Sequence, residues 1–339
     1  MELSTETTHI LHKFFTTFCV VIATLVASAI LGEVLLQVTS NSQQKYIIEM
    51  WRYAKDLKKI SADPNLGHIH IPNSTATLQG TKFRINSLGM RGAEPELAHN
   101  SRKRVLFLGS SITLGWGVPE NQTMPVLLGK FLGDDTLVMN GGIGNYNTAR
   151  SVARFNHSWR QGIKPDVVIV NYFLNDAEIL PPSQQNILFK HSQLAVTLYY
   201  IYQGFMKGST DLLALTDHYQ AVYADSSPGL RKMQSALSEL NKMGNEDGFQ
   251  IIFTMMPDVH NLKKYPFGFA HAKIKETVNK FNWVYLDFLD DLKKFDGPEL
   301  WTIPGDPHPN SMVHKIMAER LAPIIRKLVN HQKKSGISN

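Results

Sequence analysis

Three hydrophobic textures follow one another along the chain. The first is a long apolar stretch, Phe14 to Val38, interrupted only by small polar residues, Gly32 and Glu33. It is long enough to cross a bilayer as one helix. Gln44 to Ile60 then reads as an amphipathic helix whose imperfect apolar face carries Ile47, Ile48, Trp51, Tyr53, Ala54 and Leu57. From Ser61 to Asn100 short β-like runs stand among prolines and glycines, with a hairpin predicted around Lys82–Ile85. The third texture starts at Arg104, where short apolar runs predict strands at Val105–Leu108, Leu137–Met139, Val167–Val170, Ile251–Met255 and Val284–Leu286. Helical stretches fall between them, around Met124–Leu132, Thr148–Gln161 and Leu230–Met243. Strands alternating with helices in this way imply a five-stranded parallel sheet covered on both faces.

Ser311 to Val329 is expected to close the domain as a helix, capped by Asn310 and carrying Pro323. Between the third and fourth strands lies a tyrosine-rich insertion, Ser192–Tyr223. Its cluster Tyr199, Tyr200 and Tyr202 is read as core packing in preference to a substrate platform. The expected organisation is an N-terminal tail (1–13), a transmembrane anchor (14–38), an extension packing on the catalytic domain (39–100), the catalytic domain (101–330) and a flexible tail (331–339).

Composition changes this picture little. Of 339 residues, 19% are charged and 43% apolar, an ordinary globular balance. The net charge of +6 is spread along the chain and does not point to nucleic acid. The one cysteine, Cys19, lies in the apolar N-terminal stretch, so there is no disulfide framework and no cysteine metal site. His260, His271 and His314 lack a carboxylate-rich ligand set, and no metal is expected. Ala27-Ser28-Ala29 resembles a signal-peptidase site, but the apolar pattern continues beyond it to Leu36. An uncleaved anchor is the preferred reading and a removed signal peptide the alternative. Lysine and arginine are scarcer before the span than after it (Lys45, Arg52, Lys55), which alone argues for an exterior N-terminus, a weak rule ahead of a long domain. The expectation is a single-pass membrane protein with an extracytoplasmic catalytic domain, its side left open.

The candidate chemistry begins in RVLFLGSSITLGWG, Arg104 to Gly117, a buried strand that ends on Gly109 and presents Ser110 and Ser111. Open α/β sheets bind ligands at the carboxyl ends of their strands. Ser111 is the candidate nucleophile, with Ser110 its rival. A serine nucleophile needs a neutral imidazole and a carboxylate that sets the tautomer, and Asp306-Pro307-His308 supplies both in a tight loop before the last helix. Asp287 is the runner-up acid, with a turn role preferred for it. Oxyanion donors are sought in the Ser111 N–H, in a backbone N–H of the Gly141–Asn145 loop, and in the Asn175 side chain. Asp176 is read as structural.

These blocks, in this order, resemble the SGNH (GDSL-type) hydrolases. Gly109–Gly117 resembles the family's first block, Asn140–Thr148 its asparagine-led glycine loop, Phe173-Leu174-Asn175-Asp176 its third block, and Asp306-Pro307-His308 its last. The resemblance spans about Arg104 to Val329. INSLGMRG, Ile85–Gly92, also looks like the lead-in of membrane-anchored bacterial members. Ser110 stands in place of the family aspartate, Phe173 in place of a glycine, Asn145 where many members have glycine, and the aspartate precedes the histidine by two residues where three is commoner. The resemblance implies a flavodoxin-like three-layer α/β/α fold and a cofactor-free serine esterase acting on an acylated small molecule, glycan or lipid. It implies catalytic Ser111, His308 and Asp306, with oxyanion donors from Ser111, Gly144 or Asn145, and Asn175. A glycan O-acyltransferase with the same site, and an inactive envelope protein that binds a glycan or a partner, remain as alternatives, and the oligomeric state is open.

Overall fold

The computed structural model describes residues 5–40, 46–98, 102–183, 187–207 and 212–335. It divides into two compact units, one of Met1–Trp51 with Gln185–Ser209 and one of Arg52–Gln184 with Thr210–Asn339.

The first unit is built on a helix from Thr5 to Ser40. Its stretch Thr7–Thr39 is long and apolar enough to cross a membrane by length and composition, a character that signal sequences share. Two further helices, Ile187–His191 and Gln193–Lys207, belong to the same unit. Helix already occupies 5–13, where a tail was expected, since nothing between Thr5 and the apolar run breaks it. At the other end of the chain the final helix runs Ser311–Ser335, through most of the expected flexible tail, because no glycine or proline follows Pro323 before Gly336. Residues 1–4 and 336–339 of the two tails lie outside the described residues.

The expected amphipathic helix spans Tyr46–Leu57, its second half in the second unit, and stops before its anticipated end. Lys58–Ile60 forms strand β1 instead, antiparallel to β2, His68–His70. Backbone pairing with the nearby β2 segment overrides the local helical pattern here. Strands β3 (Ser74–Leu78) and β4 (Thr81–Ile85) form the predicted hairpin. The five predicted α/β strands follow as β5 (Lys103–Gly109), β6 (Thr136–Gly142), β7 (Val167–Tyr172), β8 (Gln250–Met255) and β9 (Val284–Asp287). They form one parallel sheet in the order β6-β5-β7-β8-β9, a flavodoxin-like doubly wound arrangement.

Alternation along β5 shows why both faces are covered. Val105 and Phe107 join Met124 and Leu128 of the Met124–Leu132 helix and Val313, Met317 and Leu321 of the final helix. Leu106 and Leu108 join Val152 and Phe155, and Leu237 and Leu240 of the Pro228–Asp247 helix, on the opposite face. With a side-chain period of two and helices on each side, every strand residue meets an apolar layer. The expected three-layer α/β/α architecture is therefore present. A last hairpin joins β10 (Trp301–Ile303) to β11 (Asp306–Pro309) antiparallel, with an irregular register. The Asp306–Pro309 segment is thus a short strand where a tight loop was expected. Its prolines lack the N–H that a continued ladder would use.

The carboxyl edge of the sheet is a place of close approach. Gly109 and Gly142 face each other in register, and the short helix Ser111–Leu114 lies against them. A Cβ on Gly142 would stand 2.2 Å from the Leu114 backbone nitrogen, and one on Gly109 2.2 Å from Thr113 Oγ1. Next to this edge, the 3-10 turn Leu174–Ala177 after β7 is held by Asp176, whose carboxylate accepts from Phe173 N at 2.9 Å and Thr148 Oγ1 at 3.0 Å. Asp176 is buried, in keeping with its structural reading, and burial lifts its pKa to about 7 against the partial relief of those donors.

Two outcomes follow from this packing. Gly142→Ala should destabilise the fold by about 1–3 kcal/mol or more, read as a lower thermal or denaturant midpoint, because the clash is with backbone that cannot rotate away. Asp176 keeps, between the ordinary carboxylate range and its raised native value, a proton that the unfolded chain has released. Stability therefore falls as pH rises through that window. In Asp176→Asn, thermal midpoints followed across that range should show a flatter decline than in the wild type.

Candidate active site

Ser111 opens the short helix directly after β5, and its N–H is among the first of that helix, which have no intrahelical acceptor. Its Oγ lies 2.9 Å from Nε2 of His308, carried by β11. On the other side of the imidazole, Nδ1 lies 2.6 Å from Oδ1 of Asp306. A carboxylate only accepts, so Nδ1 carries the proton and Nε2 of the neutral ring is left to accept from the serine hydroxyl. The structure thus brings Ser111, His308 and Asp306 together. Ser110 is buried, and its carbonyl accepts from Leu114 N.

Asp306 has no solvent exposure. Burial pushes its pKa up, but the hydrogen bond and charge of His308, the His308 N–H at 3.1 Å and the Trp116 indole N–H at 3.0 Å outweigh it and hold the carboxyl below its ordinary range. Gln79 Nε2 adds a further donor, 3.0 Å from Oδ2. These supporting residues were not read from the sequence. Gln79 stands at the tip of the β3–β4 hairpin and Trp116 between Gly115 and Gly117, so turn composition masked both.

Arg91, within the lead-in Ile85–Gly92, is the other supporting residue the sequence reading passed over. It is buried, with its guanidinium 3.9 Å from the Phe83 ring centre. Its Nη1 donates to the Leu114 and Gly115 carbonyls at 2.8 and 2.5 Å, and Nη2 to the Val118 carbonyl at 2.7 Å. The guanidinium fork clamps the loop that follows the Ser111–Leu114 helix. Burial lowers its pKa to about 10, still far above neutrality.

The glycine loop after β6 is held from below. Gly144 N–H donates to Tyr53 Oη at 2.9 Å, and Tyr53 Oη lies 2.7 Å from His70 Nε2. His70 Nδ1 is 2.8 Å from the Gly89 carbonyl and must donate to it, so Nε2 accepts from the tyrosine hydroxyl. The Gly144 carbonyl in turn accepts from His68 Nε2 at 2.9 Å. Burial pushes both histidines down to about 3, which keeps them neutral. With its N–H committed to Tyr53, Gly144 presents no free donor. Asn145 adopts a left-handed backbone, φ 64°, and its N–H has no protein acceptor among the described residues. Asn175 opens the second position of the turn after β7, half-buried, and its amide makes no side-chain hydrogen bond among the described residues. Ser111, Asn145 and Asn175 therefore follow β5, β6 and β7, three adjacent strands, at one edge of the sheet.

The remaining candidates are placed elsewhere. Asp287 accepts from His271 Nδ1 at 2.7 Å, Tyr285 Oη at 3.1 Å and Leu289 N at 2.9 Å, which fits the turn role preferred for it. His314 is buried, accepts from Met124 N at 3.0 Å and is pushed by burial down to about 3. His260 pairs with Asp258 at 2.9 Å, a second Asp-x-His spacing that sequence reading missed, and the Asp258 hydrogen bond raises its pKa. No group of three or more metal-ligating side chains occurs among the described residues.

No protein-family model matches the chain, and no curated protein sequence does. Solved structures that align with it include TesA, at 16% identity and a TM-score of 0.44 over 67% of this chain and 99% of that one. The acetyl xylan esterase AlAXEase aligns at 16% identity and 0.41, over 66% of this chain and 99% of that one. A catalytic mutant of Axe2, an acetylxylan esterase from Geobacillus stearothermophilus, aligns at 16% identity and 0.43, over 67% and 94%.

Proposed function

We propose that this chain is a membrane-anchored serine esterase of the SGNH type that hydrolyses an O-acyl ester through an acyl-enzyme. The observation that carries the reading is the continuous relay from Ser111 Oγ to His308 Nε2 at 2.9 Å and from His308 Nδ1 to the buried Asp306 carboxylate at 2.6 Å. In this mechanism His308 Nε2 takes the hydroxyl proton as Ser111 Oγ attacks the ester carbonyl carbon. Asp306 stabilises the resulting imidazolium and keeps its orientation. The tetrahedral oxyanion is held by the N–H groups of Ser111 and Asn145 and the amide of Asn175. Gly144, its own N–H bound by Tyr53, serves to fix the loop. Collapse expels the alcohol, which leaves with the proton from His308. Water, deprotonated by the same imidazole, then attacks the acyl carbonyl, releases the carboxylic acid and returns the proton to Ser111. No cofactor takes part in this scheme.

The anchor belongs to the same reading: the Thr7–Thr39 helix is retained as a single span, with the catalytic domain on the extracytoplasmic side. An esterase tethered there would meet acetylated glycans or lipids, and the acyl group is to be found by profiling such esters.

Hydrolysis of a chromogenic acetyl ester and labelling by a fluorophosphonate probe test the mechanism together. Ser111→Ala should abolish labelling and lower turnover by roughly ten-thousand-fold or more. Asn175→Ala should retain labelling while losing on the order of a hundred- to a thousand-fold in turnover. Unchanged hydrolysis in Ser111→Ala would overturn the assignment, as would a folded wild type that neither labels nor hydrolyses. Product analysis with and without a glycan acceptor separates hydrolysis from acyl transfer.

A further inference from the structure

The tyrosines of the Gln193–Lys207 helix were expected in a core, and they are not in one. Tyr199 is 42% exposed, Tyr200 43% and Tyr202 58%, and between and beside them Leu198, Ile201 and Phe205 are 56%, 64% and 89% exposed. No charged residue occurs from Gln193 to Met206, while Lys190 and Lys207 bracket the segment. A helix this apolar around so much of its circumference is not arranged for water. Its first turn, by contrast, is tied into its own unit. Glu33 of the N-terminal helix accepts from Ser192 Oγ and Gln193 N at 2.8 Å and from Leu194 N at 2.9 Å, a carboxylate capping a helix start. Leu194 packs where Gly32 leaves room, 3.6 Å from the position a Cβ would take.

This junction fixes depth. The apolar run from Phe14 to Gly32 already comes close to the ~20 residues that span a hydrocarbon core, so Glu33 falls at its edge. A carboxylate is costly within the core and inexpensive at the headgroups, where its helix-capping contacts also lie. The exposed helix thus starts at the level where the span leaves the bilayer. Tyrosine and phenylalanine interleaved with leucine and isoleucine form the composition of an interfacial belt: apolar bodies for the acyl chains and hydroxyls for the headgroups.

We propose that the Leu198–Phe205 face is a second membrane-contacting element, lying in the interface of the bilayer that the N-terminal helix spans, with a phospholipid surface as its occupant. The inference rests on the anchor reading above, and the single native cysteine allows the two to be separated. The full chain is reconstituted in vesicles of phosphatidylcholine and phosphatidylglycerol. An environment-sensitive fluorophore is attached to Cys19 in the native sequence or, in a Cys19→Ser background, to Ile201→Cys, Phe205→Cys or the exposed helix position Lys232→Cys. Nitroxide-bearing lipids are expected to quench the probes at 19, 201 and 205 several-fold more than the probe at 232, with blue-shifted emission at the first three. Quenching at 19, with 201 and 205 behaving like 232, would overturn the inference and leave the anchor standing. A probe at 19 that stays unquenched would overturn the anchor reading and this inference with it. Self-quenching between labelled chains at 205 without lipid quenching would assign the face to a second copy and also overturn it.

Discussion

A carboxylate without solvent exposure must find all of its compensation inside the protein, and Asp306 imposes that requirement on the carboxyl edge of the sheet. Two of its partners arrive from segments distant in sequence, Gln79 from the tip of the β3–β4 hairpin and Trp116 from the loop behind the Ser111–Leu114 helix, and the ring and backbone N–H of His308 come from two residues along β11. Removing any one leaves a buried charge short of a donor, a state that costs more than the lost contact itself. The extension before the α/β domain is therefore part of the site's support. With the carboxyl held ionised, His308 Nδ1 keeps its proton and Nε2 faces Ser111 Oγ as an acceptor.

The same economy of buried polar groups organises the two loops around the serine. Arg91 donates to the carbonyls of Leu114, Gly115 and Val118, so the turn after the Ser111–Leu114 helix has few alternatives. Tyr53 and His70 form a directional chain under the glycine loop, in which each donor has one acceptor. Burial keeps His70 neutral, and a protonated ring would lose its role as acceptor from the Tyr53 hydroxyl. Both devices come from residues 53–92, ahead of the α/β domain, and both act on its strand-to-helix turns. They hold loops of a fold that ordinarily leaves such loops free to vary.

The N-terminal unit solves a different problem. Glu33 would be a liability in a fully apolar span, and the first turn of the Gln193–Lys207 helix would carry unsatisfied N–H groups. Each is the other's remedy. The sequence pattern treated Glu33 as a mere interruption and the tyrosines as core, because periodicity records which residues avoid water and not whether protein or lipid replaces it.

By itself the sequence determined the α/β order, the five strands and the hairpin at Lys82–Ile85, and it singled out Ser111, His308 and Asp306, which the fold brings within hydrogen-bond reach, and Asn175 after β7. Those features are local: apolar runs, glycine turns and short motifs declare themselves within a few positions. Tertiary structure decided what depends on pairing across the chain. Two short antiparallel hairpins also turned Lys58–Ile60 and Asp306–Pro309 into strands, since backbone groups of the neighbouring His68–His70 and Trp301–Ile303 segments were there to bond. The fold engaged Gly144 N–H with Tyr53, 91 residues away, and left Asn145 N–H without an acceptor among the described residues. It also placed Gln79 and Trp116 on Asp306 across separations of 227 and 190 residues. A hydrogen bond needs only a donor and an acceptor in reach, and neither leaves a periodic trace in the chain that carries it.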